Sequence, residues 1–230
     1  LLRAEDPVKR ADIMGTRAVA LSHLNRTEEA IETLTSLTKN NADQPQTWTA
    51  VLRAAEATLD LGASESAETL FRLATTGPED SKTREVGLSG VAWSQFKGLR
   101  YPEAEESFTA LVTEFPDSKE AAQAIFMQAR CVEEQGDQEK IAVAFGAVFD
   151  RLTKDVNAVP AEAESIPPMI YAYSAGKQTA RSLAKMKRFA DADDAWRRLT
   201  TVFSNAKDMD ALLDEWAWMH FSDQNFTRSD

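Results

Sequence analysis

The strongest constraint on this chain is a spacing. In "YPEAEESFTALVTEFPDS", residues 101–118, Tyr101, Ala104, Phe108 and Leu111 mark one face of a helix that Pro116 ends. The Ala/Phe pair recurs: 37 residues back stand Ala67 and Phe71, a further 37 back Ala30 and Leu34, and 37 forward Ile141 and Phe145. A last pair, Ala192 and Trp196, follows after 51 residues, which is 37 plus 14. Twelve residues before each pair lies another small residue, giving Ala18, Ala55, Ala92, Ala129, Ala180 and, once more, Ala217. Alanine fills 36 of 230 positions, so each slot matches by chance roughly one time in six, and six in register are not accidental. A small residue is what a close helix crossing requires, because a larger side chain holds the backbones apart.

Each period therefore reads as a helix with a small crossing residue, a short turn, and a second helix carrying Ala-x-x-x-Phe. Gly62, Gly98 and Gly136 fall where the first helix ends and are expected to supply its left-handed residue. Pro102 fits the first turn of the next helix, and Asp117 with Glu120 fits a capping box for the one after.

These features resemble the tetratricopeptide repeat, whose signature joins a W-x-x-L-G-x-x-Y helix to an A-x-x-x-F helix and a proline. The second-helix half matches at Ala67/Phe71, Ala104/Phe108/Pro116 and Ala192/Trp196. The first-helix half departs from it: the leading aromatic is replaced by Met14, Val51, Leu88, Ile125, Gly176 and Leu213, and the glycine slot is alanine throughout. "EFPDSKEAAQAIFMQARCVEEQGDQEKIAVAF" (114–145) and "DALLDEWAWMHFSDQNF" (210–226) look most like long-period members from the bacterial cell envelope, so a periplasmic or envelope location is expected.

The resemblance implies an all-α fold, an α-solenoid winding as a right-handed superhelix of helical hairpins. Repeats are expected at about 8–44, 45–81, 82–118, 119–155 and 169–206, with a partial one at 207–230 and an insertion at 156–168. Both ends look cut: "LLRAEDP" fits the tail of an earlier helix, and the first-helix pattern around Ala217 lacks a partner, as in a segment of a longer array.

The resemblance also places a binding groove along the first helices. Carried over slot by slot, its partner-binding residues are Ser89, Trp93 and Phe96, Phe126 and Arg130, and Lys177 and Arg181, with Leu52, Glu56, Trp218 and Phe221 in equivalent slots. Trp93, Phe96 and Phe126 either form an aromatic patch for a peptide or pack on a neighbouring helix. "GKQTARSLAKMKR" (176–188) carries five basic and no acidic residues, and either meets an acidic partner segment or neutralises acidic neighbours.

Composition narrows the function classes. A hydrophobic share of 43% with 27% charged residues is that of a folded chain, and nine Gly and eight Pro allow long helices. Thirty-seven acidic against 26 basic residues give a net charge of -11, which opposes nucleic-acid binding. The longest apolar run, Ile141 to Phe149, is far short of the roughly 20 residues of a membrane span. Cys131 is the only cysteine and cannot form an internal disulfide.

Chemistry is sparse. His23 and His220 are the only histidines and are nearly 200 residues apart, so no metal is expected. Gly176-Lys177 lacks the glycine and hydroxyl residue of a phosphate loop, and Gly87-Leu88-Ser89-Gly90 lacks nucleophile-elbow spacing. Glu105/Glu106 and Glu133/Glu134 read as solvated helix face. The expectation is a non-catalytic scaffold that presents a concave groove to a peptide or protein, with no cofactor. The alternatives are an accessory module of a larger enzyme or envelope assembly, and a self-associating structural array.

Overall fold

The computed structural model describes residues 7–78, 82–156, 159–160 and 162–227, with side chains of 8–222 in those ranges. The expected earlier helix tail at residues 1–6 lies outside them. The described residues are helical, with no strand among them. They fall into two compact units divided between Pro116 and Asp117.

The first unit comprises α1 (Pro7–His23), α2 (Thr27–Asn40), α3 (Pro45–Asp60), α4 (Ser64–Thr75), α5 (Lys82–Lys97) and α6 (Tyr101–Glu114). Successive helices pair as hairpins, and α1 also packs on α3, and α4 on α5. Its core joins Ala18, Leu34, Leu37, Val51, Ala55, Leu70 and Phe71. The second unit comprises α7 (Ala121–Glu134), α8 (Gln138–Thr153), α9 (Met169–Lys185), α10 (Phe189–Val202) and α11 (Met209–Thr227), with a single 3-10 turn at Ala163–Ser165. Here α8 packs on both α7 and α9, and α10 on both α9 and α11.

All but one of the repeat anchors lie in the core. Ala18, Ala55, Ala92, Ala129 and Ala180 are buried, as are Ala30, Ala67, Ala104 and Ala192 with Phe71, Phe108, Phe145 and Trp196. Ala217 is exposed.

Hairpin turns share one backbone device. Asn25, Gly62, Leu99, Gly136 and Lys187 all have positive φ, between 58° and 86°. The first four stand 37 residues apart in succession, and Lys187 follows 51 after Gly136. Each N–H bonds the carbonyl three residues back, as in Asn25 to Ser22 (2.9 Å) and Leu99 to Phe96 (3.0 Å). In four of them the next N–H reaches five residues back, as in Arg26 to Leu21 and Arg100 to Gln95, both 2.9 Å. These two bonds define the Schellman ending, which satisfies carbonyls the helix leaves open. Gly62 and Gly136 fill the slot as expected, but in the third hairpin the left-handed residue is Leu99 and not Gly98. The capping box expected from Asp117 and Glu120 is also replaced: the N–H of Glu120 donates to Ser118 Oγ at 3.0 Å, and α7 begins at Ala121.

Gly176 has a steric reason for standing in a slot that elsewhere holds a large residue. A Cβ there would meet Leu199 Cδ1 at 2.8 Å and Phe149 Cδ2 at 2.9 Å, so α8 and α10 already fill the space. The expected insertion is fastened down. Val159 N–H donates to the Val202 carbonyl (3.0 Å), Lys207 N–H donates to Glu164 Oε1 (3.1 Å), and the Lys207 ammonium pairs with Glu162 at 3.0 Å.

Candidate functional site, a cleft between α7 and α9

In the second unit, helical spacing turns Phe126, Arg130 and Glu133 onto one face of α7, at i, i+4 and i+7. On α9 the same rule aligns Tyr173, Ser174, Lys177, Gln178 and Arg181. These residues, with Phe145 of α8, line a cleft of about 330 Å³. Four of the residues expected to bind a partner, Phe126, Arg130, Lys177 and Arg181, thus meet in one place.

Aromatic rings set its apolar side. The Phe126 ring is tilted 5.5 Å from Phe145 and 5.6 Å from Tyr171. The Lys177 ammonium sits 5.0 Å over the Tyr173 ring, within the range of a cation–π contact.

Every cation of the cleft has a carboxylate partner. Arg130 pairs with Glu133 and, at 3.1 Å, with Glu134. Lys177 reaches Asp208 at 3.3 Å. The Arg181 guanidinium forks onto Glu215 of α11, with its Nε at 2.8 Å from Oε2. The Gln178 amide also donates to Glu133, and the Tyr173 hydroxyl donates to Asp208.

Titration follows from these pairs. Partial burial pushes the Asp208 carboxyl up, but hydrogen bonds from Tyr173 and Lys177 outweigh it and hold it below the usual range. The hydrogen bond from Arg181 is the main reason Glu215 is depressed, and the same bond raises Arg181. Burial first, then the bond to Asp208, pushes the Tyr173 phenol far up, so it remains a neutral donor. The cleft's three cations are matched by four carboxylates, so none of its positive charge is uncompensated.

The basic run 176–188 is largely accounted for in this way. Lys177, Arg181 and Arg188 pair with Asp208, Glu215 and the two carboxylates Glu139 and Asp191. Asp191 lies one turn from Arg188, whereas Asp208, Glu215 and Glu139 are distant in sequence, a tertiary arrangement the local sequence could not display.

Ser89, Trp93 and Phe96 belong to the first unit. Ser89 is buried, and Trp93 and Phe96 are half-buried. Trp93 lies edge-on to Phe108 at 5.7 Å, and Phe96 edge-on to Tyr101 at 5.4 Å, both on α6. These two side chains are engaged within their own hairpin.

One group that sequence reasoning missed is Glu68 on α4. It receives hydrogen bonds from Arg72 (2.7 Å), Gln95 (2.9 Å) and Arg100, drawing α4, α5 and the approach to α6 together. Burial raises its carboxyl, and these donors outweigh burial to leave it depressed.

Comparisons with known proteins agree with this architecture. Residues 16–81 and 90–118 match family models of the tetratricopeptide repeat. No curated protein matches the chain. Among solved structures, the nearly identical TPR-like repeats of a Podosopora anserina protein assigned as a kinesin light chain superpose with a TM-score of 0.51 at 16% identity, covering 85% of this chain and 95% of that one. A single-substitution variant of that protein gives the same TM-score and identity over 86% and 95%. At that identity the likeness is one of fold. The segments 16–81 and 90–118 are tetratricopeptide repeats, and the chain is an all-α repeat protein of helical hairpins.

Proposed function

We propose that the protein is a non-catalytic interaction scaffold and that the α7–α9 cleft holds a segment of a protein partner. The observation that carries this reading is the convergence of Phe126, Arg130, Lys177 and Arg181 on one cleft. Tetratricopeptide repeats point to protein partners, and a cleft of this size with a few convergent polar groups is a common form of recognition site. Because its cations are paired internally and the donors of Tyr173, Ser174 and Gln178 are bonded to Asp208, Ile170 and Glu133, the cleft recognises through packing on Phe126 and through the side-chain oxygens of Ser174 and Gln178. A partner segment of low net charge fits it best.

The test is site-specific photocrosslinking in the source cells. A photoreactive residue at Ser174, on the cleft wall, is expected to yield a discrete protein adduct. The same residue at Glu106, exposed on α6, is expected to yield none. Equal labelling from both positions, or none from Ser174, would overturn the reading.

A further inference from the structure

The stretch between α8 and α9 bonds to the connection between α10 and α11 at two places, and each place is one residue short of a side chain that touches Tyr173. Val159 N–H donates to the Val202 carbonyl at 3.0 Å, and the next residue, Phe203, lays its buried ring edge-on to Tyr173 at 5.0 Å. Glu164 Oε1 accepts the Lys207 N–H at 3.1 Å, and the next residue, Asp208, accepts the Tyr173 hydroxyl and pairs with the Lys177 ammonium at 3.3 Å. Because peptide units are planar and consecutive Cα atoms lie about 3.8 Å apart, an anchor on one residue restrains the next. Tyr173, with the Lys177 ammonium over its ring, forms one wall of the α7–α9 cleft.

Glu164 is 8% exposed, and its second oxygen, Oε2, is buried with no hydrogen-bond partner among the described residues. A half-satisfied buried carboxylate is a cost that local stability does not explain. What the side chain does supply is an acceptor for the Lys207 N–H. We propose that Glu164 is a positioning residue for the cleft: by holding Lys207 it seats Asp208, which in turn holds Tyr173 and Lys177 in the geometry that meets a partner. The proposal rests on the reading of the α7–α9 cleft as the partner site. Asp208 is the ion-pair partner of Lys177 among the described residues, so a shift of Asp208 releases that ammonium. The stretch between α8 and α9 thus acts as a strut for the cleft, and its bonding group matters through length and acceptor rather than through charge.

Two variants separate these properties. Glu164→Asp keeps the charge but withdraws the carboxylate by one methylene, whereas Glu164→Gln keeps the length and an acceptor oxygen but loses the charge. The full chain is acetylated with the N-hydroxysuccinimide ester of acetic acid, and the rate at Lys177 is read by mass spectrometry relative to exposed Lys154 of the same chain. Glu164→Asp should raise the relative Lys177 rate about threefold or more, because a charge-assisted hydrogen bond to that ammonium is loosened. Glu164→Gln should leave it within about 1.5-fold of the parent. An ester linkage at Lys207, introduced with the α-hydroxy analogue of lysine, removes the donor N–H and no side chain, and should act as Glu164→Asp does. In photocrosslinking from Ser174, Glu164→Asp should lower the adduct yield about threefold or more, and Glu164→Gln should retain it.

Circular dichroism matching the parent excludes unfolding as the cause, and the ester decides the matter if Glu164→Asp loses helicity. A merely structural role would lower the denaturant midpoint and leave the Lys177 rate of the folded chain unchanged, and that result overturns the proposal. So does a Lys177 rate raised as much by Glu164→Gln as by Glu164→Asp, which would make charge the determinant. If the parent gives the Ser174 adduct and folded Glu164→Asp gives as much, the proposal falls while the reading of the cleft stands. If the parent gives no adduct, both fall.

Discussion

Gly90 of α5 lies against the ring of Phe71 of α4: a Cβ built on Gly90 would come within 2.1 Å of Phe71 Cδ1. The Ala-x-x-x-Phe slot of one hairpin is thus seated on a bare stretch of the next. Gly90→Ala gains about 1 kcal/mol of helix propensity but must displace a packed ring, an overpacking cost of about 1–3 kcal/mol or more. Net destabilisation, read by urea unfolding, is expected, and the accompanying change Phe71→Leu should recover part of it.

Leu99 takes φ of +60°, where the equivalent turns place Gly62 and Gly136. A left-handed conformation costs a residue with a Cβ about 1–2 kcal/mol, and the Leu99 side chain, 70% exposed, recovers little by packing. Leu99→Gly should therefore stabilise the first unit by up to about 1 kcal/mol, part of the gain being lost to the greater freedom of the unfolded chain. A lower denaturation midpoint would contradict the strain.

Acid should loosen both units. Glu68 in the first unit and Asp208 and Glu215 in the second are all held below their usual pKa. A carboxyl depressed in the folded state contributes stability that is complete above its unfolded value, near pH 4–4.5, and is lost as pH falls through the folded value. Denaturant midpoints should be flat with respect to these groups above about pH 5 and fall below about pH 4. Glu68→Gln should shallow that acid limb, because it removes the group whose protonation the limb reports.

The internal pairing of Arg130, Lys177 and Arg181 leads to weak salt dependence at the cleft. Partner affinity should change less than about threefold between 50 and 500 mM salt, because screening acts mainly on uncompensated charge. A drop of tenfold or more would mean that the partner breaks these pairs and takes the cations itself.

Much of the fold was legible because its determinants are local and recur. Buried Ala55, Ala92, Ala129 and Ala180, with Phe71, Phe108, Phe145 and Trp196, occupy slots readable from spacing alone. The turns were legible in place but not in detail: glycine was read as the left-handed residue, whereas Leu99, Asn25 and Lys187 take that conformation without it. The Schellman bonds fix the turn by register, and side-chain identity only modulates its cost. The site was partly legible. Helical spacing aligns Lys177 with Arg181, but their pairing with Asp208 and Glu215, 31 and 34 residues away, depends on how α9 meets the start of α11. The role of Glu68 was hidden for the same reason, since its partners Gln95 and Arg100 lie 27 and 32 residues distant.

The central claim is that the α7–α9 cleft binds a protein partner, and affinity of the crosslinked partner for cleft variants tests it most directly. With that partner purified, calorimetric titration of Phe126→Ala and Gln178→Ala, each shown to keep its helicity, should give binding at least about tenfold weaker than the parent chain. Equal affinity for the parent and both folded variants would contradict the claim.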